Sequence, residues 1–312
     1  MGNLRFLYDE PQEAAWFRNL DPRLSNIPMA RIGDTNESSK VSRVLSYDRP
    51  DIVLIDGEQP ILSIEETIEV PSGHNVGQRF ARLAAASEAS VPALYFGPYV
   101  AKKHGGKTAG PRYVNLRLFK ALDRMIEITG GAVITLNWPV DENFEIRRDP
   151  QKDKYVREFM KLFLDEYDVV GFNQINNSIL GSSFFKQAIA RRTEFIETSI
   201  RRKDDYEKPP NSVEILNRND FYRRFQINSN CKDILVYKVG MKKIRSDPYT
   251  GMAMLYDYLY VKRKDRALAL WFPEISSNDW KSAAQNKKRK DIRLYLHSAD
   301  IIIFSDGWMM TK

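Results

Sequence analysis

Apolar and polar residues between positions 43 and 138 follow the periods of strands and helices in turn. Short apolar runs predict strands, whereas Val76, Phe80, Leu83 and Ala84 recur at helical spacing. The predicted order is strand, strand, helix, strand, helix, strand, formed by SRVLSYDRPDIVLI, PILSIEETIEV, VGQRFARLAAASEA, VPALYFGPY, VNLRLFKALDRMIEI and AVITLNW. The Asp-Gly pair of DGEQ predicts a tight turn between the first two strands. Helices that cross over a sheet in this way define the α/β class, with a central mixed β-sheet flanked by helices.

The same pattern suggests three regions along the chain. Residues 1–42 hold several short turns and predict an N-terminal helical and loop region. Residues 43–202 form the core with two following helices, and residues 203–312 form a further α/β region, either a separate domain or part of the same one. KDDYEKPPNS at 203–212 is the best linker candidate because it is charged and contains two consecutive prolines.

The amino-acid composition limits the kinds of binding partner and the cellular compartment that we expect for the protein. The chain has 48 Lys and Arg against 41 Asp and Glu, a formal charge of +7, which favours a polyanionic partner. Cys231 is the only cysteine, which excludes a disulfide framework and fits a reducing compartment. Since no apolar run has the length of a membrane span, we expect a cytoplasmic protein without a membrane segment. The three histidines lack zinc-ligand spacing, and the P-loop and Gly-x-Ser-x-Gly motifs are absent.

Carboxylates stand at unusual places on the predicted hairpin. Side chains alternate between the faces of a strand, so Glu65, Thr67 and Glu69 share one face of a strand otherwise rich in Ile and Leu. Asp51 begins the preceding strand, and the turn folds that strand back so that Asp51 lies beside Glu65. Two such oxygen ligands suit Mg²⁺, which keeps several waters and takes few protein carboxylates. The structural alternative is a solvent-facing hairpin whose carboxylates keep an edge strand soluble.

The run of Pro50, Asp51, an apolar strand, a short turn and ILSIEET resembles the signature of the PD-(D/E)XK nuclease superfamily, over roughly residues 43–138. The resemblance implies that Asp51 and Glu65 are metal ligands, with the main-chain carbonyl of Glu66 as a further ligand. Thr67 stands where the signature has lysine, so that role is left open. The candidates to replace it are Glu69, Gln78, Arg79, Lys102 and Lys103.

Basic residues suggest contacts with DNA. Arg79 and Arg82 lie in the first turns of the helix after the hairpin, and a helix start flanked by arginines is a natural phosphate site. KKHGGK combines cations with two glycines that allow close approach of a phosphate chain, and KKIRSDPY combines cations with a tyrosine. The candidate contacts in these two loops are Lys102, Lys103, Lys107, Lys242, Lys243 and Arg245. Solvated helix faces and surface loops are the ordinary alternative for such residues.

The resemblance implies a type II restriction endonuclease that depends on Mg²⁺, with Mn²⁺ as a substitute. Its substrate would be double-stranded DNA, and the enzyme would act as a homodimer in which the C-terminal region supplies DNA contacts or dimerisation. A repair or defence nuclease that recognises DNA structure is a second hypothesis. A third is a DNA-binding protein that kept the fold and lost catalysis, as Thr67 suggests, and a fourth is an enzyme acting on a small anionic metabolite.

Overall fold

The computed structural model describes residues 2–72, 75–102, 110–201, 208–244, 249–261, 265–285 and 290–311. The chain divides into two compact units. The first unit comprises Met1–Gly73, Arg82–Asn115 and Met125–Arg201, and the second comprises His74–Ala81, Leu116–Arg124 and Arg202–Lys312. Two helices, α3 (Asn75–Glu88) and α4 (Leu116–Thr129), therefore contribute their N-terminal parts to the second unit and their C-terminal parts to the first.

The first unit is built on a six-stranded sheet in the order β2-β1-β3-β4-β5-β8. Its strands and those of a small hairpin are β1 (Leu4–Tyr8), β2 (Met29–Arg31), β3 (Ile52–Asp56), β4 (Gln59–Glu66), β5 (Ala93–Gly97), β6 (Val100–Lys102), β7 (Pro111–Tyr113) and β8 (Val133–Asn137). The helices are α1 (Pro11–Arg18), α2 (Ser39–Val44), α3 (Asn75–Glu88), α4 (Leu116–Thr129), α5 (Lys154–Val170), α6 (Phe172–Gly181) and α7 (Ser183–Ser199).

The sheet is mixed because its connections differ. β3 and β4 form an antiparallel hairpin, whereas helix α3 links β4 to β5 and helix α4 links β5 to β8, so that β4, β5 and β8 run parallel. Parallel strands covered on both faces are apolar along their whole length, and every residue of β5 is buried. The fold class is therefore mixed α/β, as the apolar pattern predicted.

The second unit contains a five-stranded sheet in the order β13-β12-β11-β10-β9, in which β10, β11 and β12 run parallel. Its strands are β9 (Val213–Asn217), β10 (Asp233–Lys238), β11 (Arg266–Trp271), β12 (Ile301–Ile303) and β13 (Trp308–Met310), and its further helices are α8 (Arg218–Phe225), α9 (Tyr249–Tyr260), α10 (Ser277–Ala284) and α11 (Lys290–Ser298). Phe221, Ile234 and Ile301 lie in its apolar core.

Three segments differ from the elements that the sequence predicts. Residues 39–44 form helix α2 instead of the start of a strand, because the Ser38 hydroxyl accepts from the Val41 amide and caps a helix. The N-terminal region supplies β1, which pairs with β3. The basic helix predicted over SNDWKSAAQNKKRKDIRLYL is two helices, α10 and α11, on either side of residues outside the described part.

A close helix contact in the second unit leads to a stability prediction. A methyl group on Gly251 of α9 would overlap the carbonyl oxygen of Gly77 and would lie 2.9 Å from the Gln78 amide nitrogen. Since backbone cannot move aside cheaply, Gly251→Ala is expected to lower the free energy of unfolding by about 1–3 kcal/mol or more. Urea denaturation measures this. The control is Gly181→Ala at the end of α6, where an added methyl group has open space. If both substitutions lower the free energy of unfolding equally, the close contact at Gly251 is contradicted.

Among the described residues, no helix combines the length and the apolar character that a membrane crossing requires.

Candidate active site

The β3–β4 hairpin brings Asp51 beside Glu65. Ile52 pairs with Ile64, so one further step of the antiparallel register sets Asp51 opposite Glu65. The Asp51 amide donates to the Ile64 carbonyl at 3.1 Å, and the Glu66 amide donates to Asp51 Oδ2 at 2.5 Å. The main chain of β4 therefore holds the Asp51 carboxylate at the end of the strand that carries Glu65.

The two carboxylates converge on one cation, the guanidinium of Arg82 on α3. Its Nη1 lies 3.2 Å from Asp51 Oδ1 and 2.9 Å from Glu65 Oε2. Its Nε donates to Asp48 Oδ2 at 3.1 Å. All four side chains are buried, with exposed fractions between 0% for Glu65 and 6% for Arg82. We call Asp48, Asp51, Glu65 and Arg82 the hairpin ion cluster.

Electrostatics within this cluster favour the charged form of Arg82. Burial on its own would lower the pKa of Arg82, but the charges of Glu65, Asp48 and Asp51 outweigh burial and raise this pKa above its ordinary value. Arg82 therefore stays a cation at every pH of interest. Three carboxyl groups therefore surround a single guanidinium in this cluster.

The side chain of Thr67, which stands at the position of the signature lysine, forms hydrogen bonds with the main chain of Glu69. Its hydroxyl donates to the Glu69 carbonyl at 3.3 Å and accepts from the Glu69 amide at 3.1 Å. Space beside it is limited, because a Cβ atom on Gly97 would lie 2.6 Å from Thr67 Cγ2. The Thr67 side chain is therefore fixed by a local turn next to a crowded strand.

Glu66 points to the opposite face of β4 from Glu65. Burial raises the pKa of Glu66 to about 7. The nearby charge of Lys152 opposes this increase, whereas Glu13, Asp153 and Glu65 add to it. The Lys152 ammonium is itself bound by Asp153 at 2.6 Å and lies 4.3 Å from the ring centre of Trp138. Glu66 therefore takes up a proton near neutral pH.

This pKa gives the protein a pH-dependent stability. Between the ordinary value of 4.5 and about 7, folded Glu66 holds a proton that the unfolded chain has lost. Its contribution to stability is therefore full below about pH 4.5 and is lost as the pH rises through about 7, with about 3 kcal/mol as the upper limit. Urea denaturation measures the free energy of unfolding at about pH 5 and about pH 8. The decrease in this free energy from pH 5 to pH 8 is expected to be smaller for Glu66→Gln than for the unchanged protein. The exposed Glu58→Gln is the control, and an unchanged fall in Glu66→Gln would contradict the prediction.

The other predicted site residues are spread over the two units. Glu69 is exposed, whereas Gln78 and Arg79 on α3 are half-buried. Lys102 is paired with Glu145 at 3.1 Å. Lys242 and Lys243 are exposed and follow β10. The remaining predicted contacts, and the first part of the linker candidate, lie outside the described residues: Lys103, Lys107, Arg245 and residues 203–207.

Two features of the cluster were missed in the sequence. Asp48 was not singled out, although it stands three positions before Asp51. Arg82 was predicted to contact DNA, whereas in the structure its guanidinium is buried and bound to three carboxylates. The sequence does contain a sign that Arg82 is buried, because it is the one charged residue in the run FARLAAAS. All eight residues of this run are buried in the structure. A cation inside such a run requires an acidic partner.

Asp51 and Glu65 have the oxygen chemistry that Mg²⁺ prefers, and in the structure their oxygens converge on Nη1 of Arg82. Mg²⁺ takes one or two carboxylates and keeps several waters, and these two carboxylates already share a cation. Among the described residues, no group of three or more His, Cys, Asp or Glu side chains is arranged to hold a metal ion.

No family model matches the chain, and no curated protein or solved structure is significantly similar to it.

Proposed function

We propose that the chain is a metal-dependent DNA endonuclease of the restriction type. The observation that supports this most is the convergence of Asp51 and Glu65 on one cation at the end of the β3–β4 hairpin. The mixed sheet adds to it, because α3 and α4 cross over between parallel strands in the order that the nuclease resemblance implies. A chain of formal charge +7 suits a polyanionic substrate.

In this proposal Asp51 and Glu65 hold Mg²⁺, together with the main-chain carbonyl of Glu66. The ion, when bound, supplies an activated water and compensates charge on the phosphodiester. Arg82 holds the two carboxyl groups in their orientation through contacts of 2.9–3.2 Å. In the outcome typical of the superfamily, water would add to phosphorus as the bond to the 3′ oxygen breaks. The proton that the water loses would pass to the group in the role of the missing lysine, and the 3′ oxygen would take up a proton from solvent. The candidates for the role of the missing lysine are still Glu69, Gln78, Arg79, Lys102 and Lys103.

The test is incubation of purified protein with supercoiled plasmid and phage DNA in Mg²⁺, Mn²⁺ and EDTA. Discrete fragments in either metal and intact DNA in EDTA are expected. If fragments form, methylation of the target separates the two nuclease hypotheses, since a palindrome-cutting enzyme spares methylated sites and a structure-specific one does not. Analytical ultracentrifugation of the DNA complex tests the proposed homodimer.

A catalytically inactive DNA-binding protein is the second candidate. The observation that favours it is the hairpin ion cluster itself, because Arg82 already neutralises part of the charge that a metal would compensate. The local hydrogen bonds of Thr67 point the same way. DNA that is bound but stays intact in both metals would support this candidate and contradict the first.

A further inference from the structure

A cavity of about 340 Å³ opens in the first unit at the carboxyl end of β8. It is lined by the end of β8, by the start of α5 and by α7. Its volume lies within the range of small-molecule sites, about 300–1,000 Å³. None of the residues of the hairpin ion cluster lines it, so this cavity is a separate feature of the unit.

The lining of the cavity is strongly basic. Four cations line it, and no carboxylate does; the cations are Arg147, Lys152, Lys154 and Arg191. Arg147 and Lys152 are neutralised by neighbouring aspartates outside the lining. Within the described part of the chain, Lys154 and Arg191 form no ion pair, and buried Nη2 of Arg191 has no hydrogen-bond partner. A buried donor without a partner is costly, and a bound anion would remove that cost.

Aromatic rings stand beside these two cations. The guanidinium carbon of Arg191 lies 4.2 Å from the ring centre of Tyr155 and 5.8 Å from that of Phe184, and the Lys154 ammonium lies 5.7 Å from the Tyr155 ring centre. Tyr155 lines the cavity and is 37% exposed. Phe195 lines the same space and packs edge-on against Tyr99 with ring centres 5.3 Å apart. Rings next to unpaired cations provide stacking for a planar base and charge for its phosphate.

We propose that this cavity binds a nucleoside phosphate, with the phosphate at Arg191 and Lys154 and the base against Tyr155. The phosphate makes charge-assisted hydrogen bonds with both cations and satisfies the buried Nη2 of Arg191. Two sources have this chemistry, a free nucleotide and a nucleotide within a DNA strand. The binding itself does not depend on the proposed nuclease activity.

The sheet connects the cavity to the hairpin ion cluster. Glu65 pairs with Tyr95, and Tyr95 pairs with Thr135, which lines the cavity. Two strand spacings separate the backbones of Glu65 and Thr135 by about 10 Å, and the axis of a DNA duplex rises by that amount in about three base pairs. On the basis of the proposed function, the cavity would hold a nucleotide a few positions from the cleaved bond.

The test measures binding in EDTA, where cleavage plays no part. AMP is titrated by calorimetry, and a labelled single-stranded oligonucleotide is titrated by fluorescence anisotropy. The double variant Lys154→Gln/Arg191→Gln is compared with Lys161→Gln/Lys186→Gln. The control pair lies on the same two helices, is exposed, removes the same charge and does not line the cavity. Unfolding midpoints check that both variants fold.

The cavity variant is expected to weaken binding by about tenfold or more, and the control by less than about twofold. Tyr155→Leu is expected to weaken AMP but not inorganic phosphate. Binding of AMP identifies a free nucleotide, whereas binding of the oligonucleotide alone identifies a DNA strand. Equal losses in both double variants would mean unspecific attraction to a basic surface and would overturn the proposal, as would the absence of binding to either probe. A protein that binds at the cavity yet never cleaves DNA would refute only the nuclease.

Discussion

An Asp51→Asn or Glu65→Gln variant is expected to cleave DNA at least about 100-fold more slowly than the unchanged protein. Loss of a residue that merely supports a metal ligand already costs about 10–100-fold, and these two carboxylates are the proposed ligands themselves. Amide side chains keep the size of the carboxylates and can still accept a hydrogen bond from Arg82. Plasmid cleavage under single-turnover conditions gives the rates.

Glu58→Gln is the matched control for these two variants. Glu58 is an exposed carboxylate in the turn of the same hairpin, so its loss tests whether any negative charge near the hairpin matters. Its cleavage rate is expected to stay within about twofold of the unchanged protein, since such surface changes have small effects. Cleavage at full rate by both Asp51→Asn and Glu65→Gln would remove the hairpin from the active site.

Arg82→Gln is expected to cause the largest loss of stability among single substitutions in the hairpin ion cluster. Removing the cation leaves Asp48, Asp51 and Glu65 buried without compensation, which typically costs about 3–5 kcal/mol. Urea denaturation measures the loss. Arg148→Gln, at an exposed position, is the control and is expected to change the free energy of unfolding by less than about 0.5 kcal/mol.

The same variant provides a test for metal binding that does not depend on catalysis. Millimolar Mg²⁺ is expected to restore part of the stability lost in Arg82→Gln, because a ligand that binds only the folded state stabilises it. Asp51→Asn in the same background should abolish the recovery. A loss below about 1 kcal/mol would contradict the structural role of Arg82, and a loss that Mg²⁺ leaves unchanged would count against a metal site between these carboxylates.

Local patterns in the sequence are sufficient to predict the hairpin and the position of Asp51 beside Glu65. They are not sufficient to predict which side chains from other elements contact it. The position of Asp51 opposite Glu65 follows from an alternating strand and an Asp-Gly turn, both of which involve adjacent residues. Arg82 could not be oriented in this way, since residues 80–87 are buried on every side of α3 and no apolar stripe identifies an inner face. Its direction is set by residues 17, 31 and 34 positions away.

The N-terminal strand shows the same limit at longer range. The five residues LRFLY are too few for the sequence pattern to predict a strand. They form strand β1 because they pair with β3, which lies about fifty residues later in the chain. The cavity at β8 was also beyond the reach of sequence patterns. Lys154 and Arg191 lie on different helices, and only the packing of α5 and α7 at the sheet edge brings them together.

The aromatic residues around Lys152 give the first unit a natural optical reporter. The indole of Trp138 and the ring of Phe96 stack with centres 4.7 Å apart, and Trp16 also stacks with Phe96, with centres 6.0 Å apart. The ammonium over these rings belongs to a lysine that also lines the cavity. An anion that binds beside Lys152 in the cavity adds charge next to the Trp138 indole, so its binding can be followed by the intrinsic emission of the protein without attaching a dye.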